Sequence, residues 1–153
     1  MLSTYSSIAV AKKILELSEL KGNPLTPMQL IKLTYLAHGW MLGLLGRPLL
    51  SERVEAWKYG PVLPNLYSVI KKHRDKPVDI ISLYANDVVD DESATAVINE
   101  VLRVYGELDG IALSTLTHQK NTPWEIVWSQ LGQQANISND IIESHFKRML
   151  QVA

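Results

Sequence analysis

Apolar positions recur at helical spacing in most of the chain. Val10, Ile14 and Leu17, with Ala11 beside them, predict a first helix over about residues 6–21, closed by Gly22-Asn23-Pro24. Thr26-Pro27-Met28-Gln29 carries the signals of a second helix start. Thr26 can cap, Pro27 fits the first turn, and Gln29 can reach back to complete a capping box. From residue 30 to 45 this helix is apolar on most sides, which predicts the central element, over about 27–45. Gly39 and Gly43 stand four apart in it. Each costs ~1 kcal/mol relative to alanine, so the pair predicts the close approach of a neighbouring helix.

Gly46-Arg47-Pro48 ends the central helix, and Gly60-Pro61 with Pro64 forces a turn. Between these breaks, residues 51–59 read as extended or irregular. A third helix follows over about 65–73, with Leu66, Val69 and Ile70 on one face. The β-branched run 78–84 suggests a small strand, and a short two-stranded ribbon is expected over about 53–58 and 78–83. Asp90-Asp91-Glu92 places negative charge at the start of a fourth helix, buried along Ile98, Val101, Leu102 and Tyr105. Gly110 precedes a short segment over 111–116. Thr122-Pro123-Trp124-Glu125 is a second capping box, opening a helix with Trp124 and Trp128 on one face. Ser138 caps a last helix lined by Ile142, Phe146 and Met149. The expected fold class is therefore mainly α: a compact bundle of about six or seven helices, with one domain expected over residues 1–153 and no separate DNA-binding domain expected.

Composition changes this picture little. Hydrophobic residues make up 46% and charged residues 20%, a globular balance. The net charge of −1 gives no global attraction to nucleic acid or to a membrane surface. The chain has no cysteine, which excludes disulfides, thiol catalysis and cysteine-based zinc sites. No apolar stretch approaches the ~20 residues of a membrane span, and no secretory signal is visible. A cytoplasmic location is expected.

Candidate chemistry is sparse. The four histidines, His38, His73, His118 and His145, lack metalloprotease spacing, and no nucleophile elbow or phosphate-binding glycine loop occurs. No catalytic residue, metal or cofactor is expected. His118 lies in a run of hydroxyls and amides with Thr117 and Asn121, ahead of a helix start. Such a run either forms a polar pocket or satisfies backbone groups in a tight connection. The basic cluster of Lys71, Lys72, His73, Arg74 and Lys76 closes a helix C-terminus, where cations are favoured. Trp40 reads as core. Trp57, on the irregular segment, suits either a core cover or a partner surface.

Two groups of motifs carry a family resemblance. The first runs through Lys32-Leu33-Thr34-Tyr35-Leu36-Ala37-His38-Gly39-Trp40, Gly46-Arg47-Pro48, Glu55-Ala56-Trp57-Lys58-Tyr59-Gly60-Pro61, and Pro64 with Tyr67. The second is Leu113-Ser114 with Thr117-His118, then Thr122-Pro123-Trp124. Together they resemble the Panacea domain, the antitoxin domain of the SocA type, also known as phage-associated GepA-like protein. The resemblance spans most of the chain.

It implies an antitoxin, prophage- or mobile-element-associated, that neutralises the toxin encoded by an adjacent gene through direct protein–protein binding. It also implies an alternative, an adaptor that delivers the toxin to a ClpXP-type protease. The family is not one of enzymes. The residues themselves leave open a small enzyme with a polar pocket around His118 and Tyr59. The motif surface expected to meet a partner comprises Trp57, Lys58, Tyr59, Pro61, Tyr67, His118, Asn121 and Trp124.

Overall fold

The computed structural model describes residues 3–152. Among them are seven α-helices: α1 Ser7–Leu20, α2 Pro27–Leu45, α3 Pro64–Ile70, α4 Glu92–Tyr105, α5 Gly110–Thr117, α6 Pro123–Leu131 and α7 Asn139–Val152. Three short strands, β1 Val54–Trp57, β2 Gly60–Val62 and β3 Ala135–Ile137, form a small antiparallel sheet in the order β2-β1-β3.

α2 is the central helix. Residues 31–39 are buried without interruption, and α1, α4, α5 and α7 all pack on it. Its capping box forms as the sequence predicts: the Thr26 hydroxyl accepts from the Gln29 amide, and the Gln29 side chain accepts from the Thr26 amide at 2.9 Å. Such a cap is worth ~1 kcal/mol. Gly46 closes the helix with φ 69°, a left-handed conformation glycine adopts without a Cβ clash.

Gly39 and Gly43 make room for α7. A Cβ on Gly39 would lie 2.7 Å or less from three Phe146 ring carbons, and one on Gly43 would lie 2.7 Å from Phe146 Cβ. The expected close approach is therefore real, and Phe146 is what fills the space. Its ring meets Trp40 and Tyr35 edge-on, with centroids 5.0 and 6.1 Å apart.

His38 is locked in the same region. Its Nδ1 accepts from the Leu49 and Leu50 amides at 3.3 and 3.2 Å, and its Nε2 bonds to Asn139 Oδ1 at 2.9 Å. Burial pushes its pKa down to about 4, so the ring is neutral and both nitrogens are committed. Arg47 in the following loop pairs with Asp91 at 2.6 Å, and Asp91 in turn caps α4. The Arg47 guanidinium holds the Asp91 carboxyl below the usual carboxylate range.

One expectation fails. Residues 78–83 form no strand, and the ribbon between 53–58 and 78–83 does not exist. Val78 donates to the Leu25 carbonyl at 2.7 Å, and Ile80–Ser82 is a single 3₁₀ turn with the Asp79 carboxylate accepting from the Ile81 amide. An aspartate that hydrogen-bonds two residues ahead competes with strand pairing, and here it wins over β-branched composition. β1 instead pairs with its neighbour β2 and with β3, about eighty residues further along the chain.

Candidate functional site: a pinned hairpin over a cationic groove

β1 and β2 form a hairpin with Trp57 opposite Gly60, so Lys58 and Tyr59 make the turn. Neither turn residue has positive φ; Gly60 does, at 120°. Glycine is needed there for a second reason. A Cβ on Gly60 would lie 2.9 Å from Lys32 Nζ and 3.4 Å from Thr117 Oγ1.

The hairpin is held from outside the sheet by side chains on three helices. Trp124 Nε1 on α6 donates to the Trp57 carbonyl. Ser114 Oγ on α5 donates to the Tyr59 carbonyl at 2.8 Å. Lys32 Nζ on α2 donates to the Pro61 carbonyl at 2.9 Å. Alternate carbonyls of the turn are thus each satisfied by one residue of the sequence motifs. Buried carbonyls need partners, and each bond contributes about 1 kcal/mol net. The two motif groups meet because the second supplies donors to the backbone of the first.

The expected site residues divide accordingly. Lys58 and Tyr59 are exposed, Tyr59 at 61%, with Lys58 Nζ 5.4 Å from the Tyr59 ring centroid. Trp57 is half-buried, packs edge-on against Tyr67 with centroids 5.3 Å apart, and donates its indole N–H to Glu55. Pro61 and Trp124 are buried beneath the hairpin. His118 caps the end of α5, bonds through Nδ1 to the Ser114 carbonyl, and lies edge-on to Trp124, which stacks on Trp128.

Asn121 is not with this group. It sits in the α5–α6 turn at φ 66° and lines a separate cavity of about 610 Å³ with His145, Arg148 and Phe146. Glu125 accepts from the Asn121 amide rather than from Thr122, so the second capping box closes on one side only, through Thr122 Oγ1 and the Glu125 amide. His118 and Tyr59 share neither cavity.

Beside the hairpin lies a groove of about 530 Å³. It is lined by the aromatic rings of Trp57, Tyr59 and Tyr67 and by the apolar side chains of Ile31, Met28 and Val62. Four cations line it, Lys32, Lys58, Lys71 and Arg74, and no carboxylate does. Lys71 Nζ stands 5.9 Å from the Tyr67 ring centroid. Arg74 is held at φ 54°, a backbone conformation that costs a non-glycine residue on the order of 1–3 kcal/mol.

Lys32 is the residue whose importance the sequence obscured. It is 3% exposed, makes a single hydrogen bond, and has no carboxylate partner among the described residues. Burial alone lowers its pKa to about 7. The available signal was its place in a run apolar on most sides: a lysine inside such a run has little solvent face to occupy.

A family model described as Antitoxin SocA-like, Panacea domain, matches residues 30–125, more than half of the chain and inclusive of both motif groups. The chain belongs to the SocA-like Panacea family. Antitoxin SocA of Caulobacter vibrioides (strain NA1000 / CB15N) is 28% identical over 153 residues, covering 91% of this chain and 81% of the relative. No solved structure matches significantly. The family match begins at Leu30, so it takes in Lys32, the hairpin and its three side-chain donors. No helix among the described residues is long and apolar enough to cross a membrane.

Proposed function

We propose that this Panacea-domain protein is an antitoxin that neutralises a cognate toxin, encoded by an adjacent gene, by binding it directly, and that it does so without catalysis. Membership of the antitoxin family carries this reading. The geometry supports it: Lys32, Ser114 and Trp124 of the motifs spend their polar groups on holding one hairpin, and Lys58 and Tyr59 at its turn are left exposed. A rigid surface loses little conformational entropy on binding, which favours affinity. Trp57, Lys58, Tyr59 and Tyr67 are the contact residues in this proposal, and Pro61, Trp124 and His118 position them.

The experiment is co-expression with the adjacent gene product. Growth arrest by that product alone, relieved by this protein, together with a co-purified complex, is the expected result. A product that is harmless alone, or toxic regardless of this protein, contradicts the proposal. Toxin half-life in the same cells separates the two modes of action. An unchanged half-life with rescue means neutralisation by binding; faster loss means delivery to a ClpXP-type protease.

A further inference from the structure

The groove beside the hairpin has a composition that the fold does not explain. A lysine ammonium is strongly hydrated, and burying it without an anion is unfavourable. Lys32 is buried, yet a single backbone carbonyl is all it bonds. Two of its three N–H donors are unused among the described residues, and the group borders an open groove. Lys71 and Arg74 add positive charge along the rim, and the first turn of α2, through Pro27 and Met28, adds the positive end of the helix dipole. The nearest carboxylate on the hairpin, Glu55, is occupied by the Trp57 indole and lies outside the groove lining. The groove thus concentrates positive potential over an apolar and aromatic lining.

We propose that the groove is the docking site for an acidic segment of the partner protein. A carboxylate of that segment ion-pairs with Lys32, Lys71 and Arg74, and a neighbouring apolar side chain lies against Trp57, Tyr59 and Tyr67. This assigns the partner's chemistry and rests on the antitoxin proposal only in identifying that partner as the toxin. An incoming carboxylate supplies the counter-charge the fold omits, so the interaction is charge-assisted and partly desolvated, the setting in which such bonds are strong. Single-stranded nucleic acid also combines anions with stacking bases. Its binders use a groove that tracks many phosphates. Here four cations face one short groove on a chain of net charge −1, which favours a peptide.

The test is titration of the isotope-labelled full chain, followed by NMR, with a blocked octapeptide alternating glutamate and leucine. Its glutamine counterpart and a single-stranded oligothymidylate serve as comparisons. The expected result is shifts confined to Trp57, Tyr59, Tyr67 and Lys71, with the glutamate peptide binding at least about tenfold tighter than the glutamine one. Lys32→Met weakens it by a similar factor. Because a buried position can disturb folding, the exposed pair Lys71→Glu with Arg74→Glu provides the second test and is expected to abolish peptide binding with the spectrum otherwise intact.

Equal binding of the two peptides, binding that survives the charge reversal, or tighter binding of the oligonucleotide overturns the proposal. If wild-type protein fails to rescue cells from the neighbouring toxin, the antitoxin proposal falls while the titration still decides the groove. If rescue is normal in the charge-reversed variant, the groove proposal falls and the antitoxin proposal stands.

Discussion

His38 and Lys32 sit six residues apart on α2, both buried, both with pKa values lowered by burial, and they do opposite things. His38 uses both ring nitrogens on groups of the same chain and becomes a neutral strut between α2, the loop after it and the start of α7. Lys32 bonds one carbonyl and opens toward a groove that holds three more cations. A buried polar group that is fully satisfied belongs to the fold. One that is only partly satisfied, beside open space of matching chemistry, is where a ligand contributes. The same division separates the Gly39 and Gly43 contact of α2, where Phe146 leaves no space for a Cβ, from the hairpin side, where aromatic and basic groups border the groove.

The largest effect that would break this comparison lies on the closed side. Phe146→Ala removes the side chain that fills the space over Gly39 and Gly43, and a loss of about 3–5 kcal/mol is expected in urea denaturation. His38→Ala leaves the Leu49 and Leu50 amides without their acceptor and is expected to cost about 3 kcal/mol. A small loss in either would mean that this region is not the structural half.

Lys32 gives the opposite sign. Its folded pKa of about 7 lies below its ordinary value of 10.5, so between these pH values the unfolded chain holds the extra proton. Stability therefore rises as pH rises from about 7 to about 10.5. In Lys32→Met that contribution disappears. The variant is expected to be more stable than wild type at and below neutral pH, by on the order of 2–4 kcal/mol, with the gap closing toward high pH. Paired denaturation series across that range measure it. Parallel curves for the two proteins would show that Lys32 is not held in an unfavourable site. For His38 the window is acidic: the stability tied to its neutral form is present above about pH 6.5 and is lost as pH falls toward about 4.

Much of the closed half was legible from the chain. Thr26, Pro27 and Gln29 form the capping box they spell out, Gly46 ends the helix, and Gly39 with Gly43 marks a close helix contact. These are local rules, in which a few adjacent residues decide the outcome. The sheet was harder. Val78, Ile80 and Ile81 have strand composition, but Asp79 caps a 3₁₀ turn over Ile80–Ser82 instead. The true partner strand, Ala135–Ile137, is three residues long and is chosen by pairing across most of the chain. The pinning of the hairpin could not be read either, because Lys32, Ser114 and Trp124 converge on one turn only after α2, α5 and α6 pack. Asn121 shows the same limit in reverse. Four residues from Glu125 and three from His118 and Trp124, it still faces a different cavity.

A smaller effect sharpens the positioning role. Trp124→Phe keeps the ring and removes the donor to the Trp57 carbonyl, and is expected to cost about 1–2 kcal/mol. Hydrogen exchange of the β1–β2 amides is expected to quicken while the amides of α2 and α7 stay protected. Uniform quickening would mean that the hairpin is not a separately held unit.

The smallest stability effect belongs to Tyr59, exposed at the tip of the turn. Tyr59→Ala is expected to stay within about 0.5 kcal/mol of wild type, which makes it the clean probe of the open half. The decisive measurement is the affinity of this variant for the toxin of the adjacent gene, taken with its melting temperature. At least about a tenfold loss of affinity with an unmoved melting temperature is predicted. Undiminished affinity at the same stability would contradict the assignment of the hairpin and its groove as the binding surface.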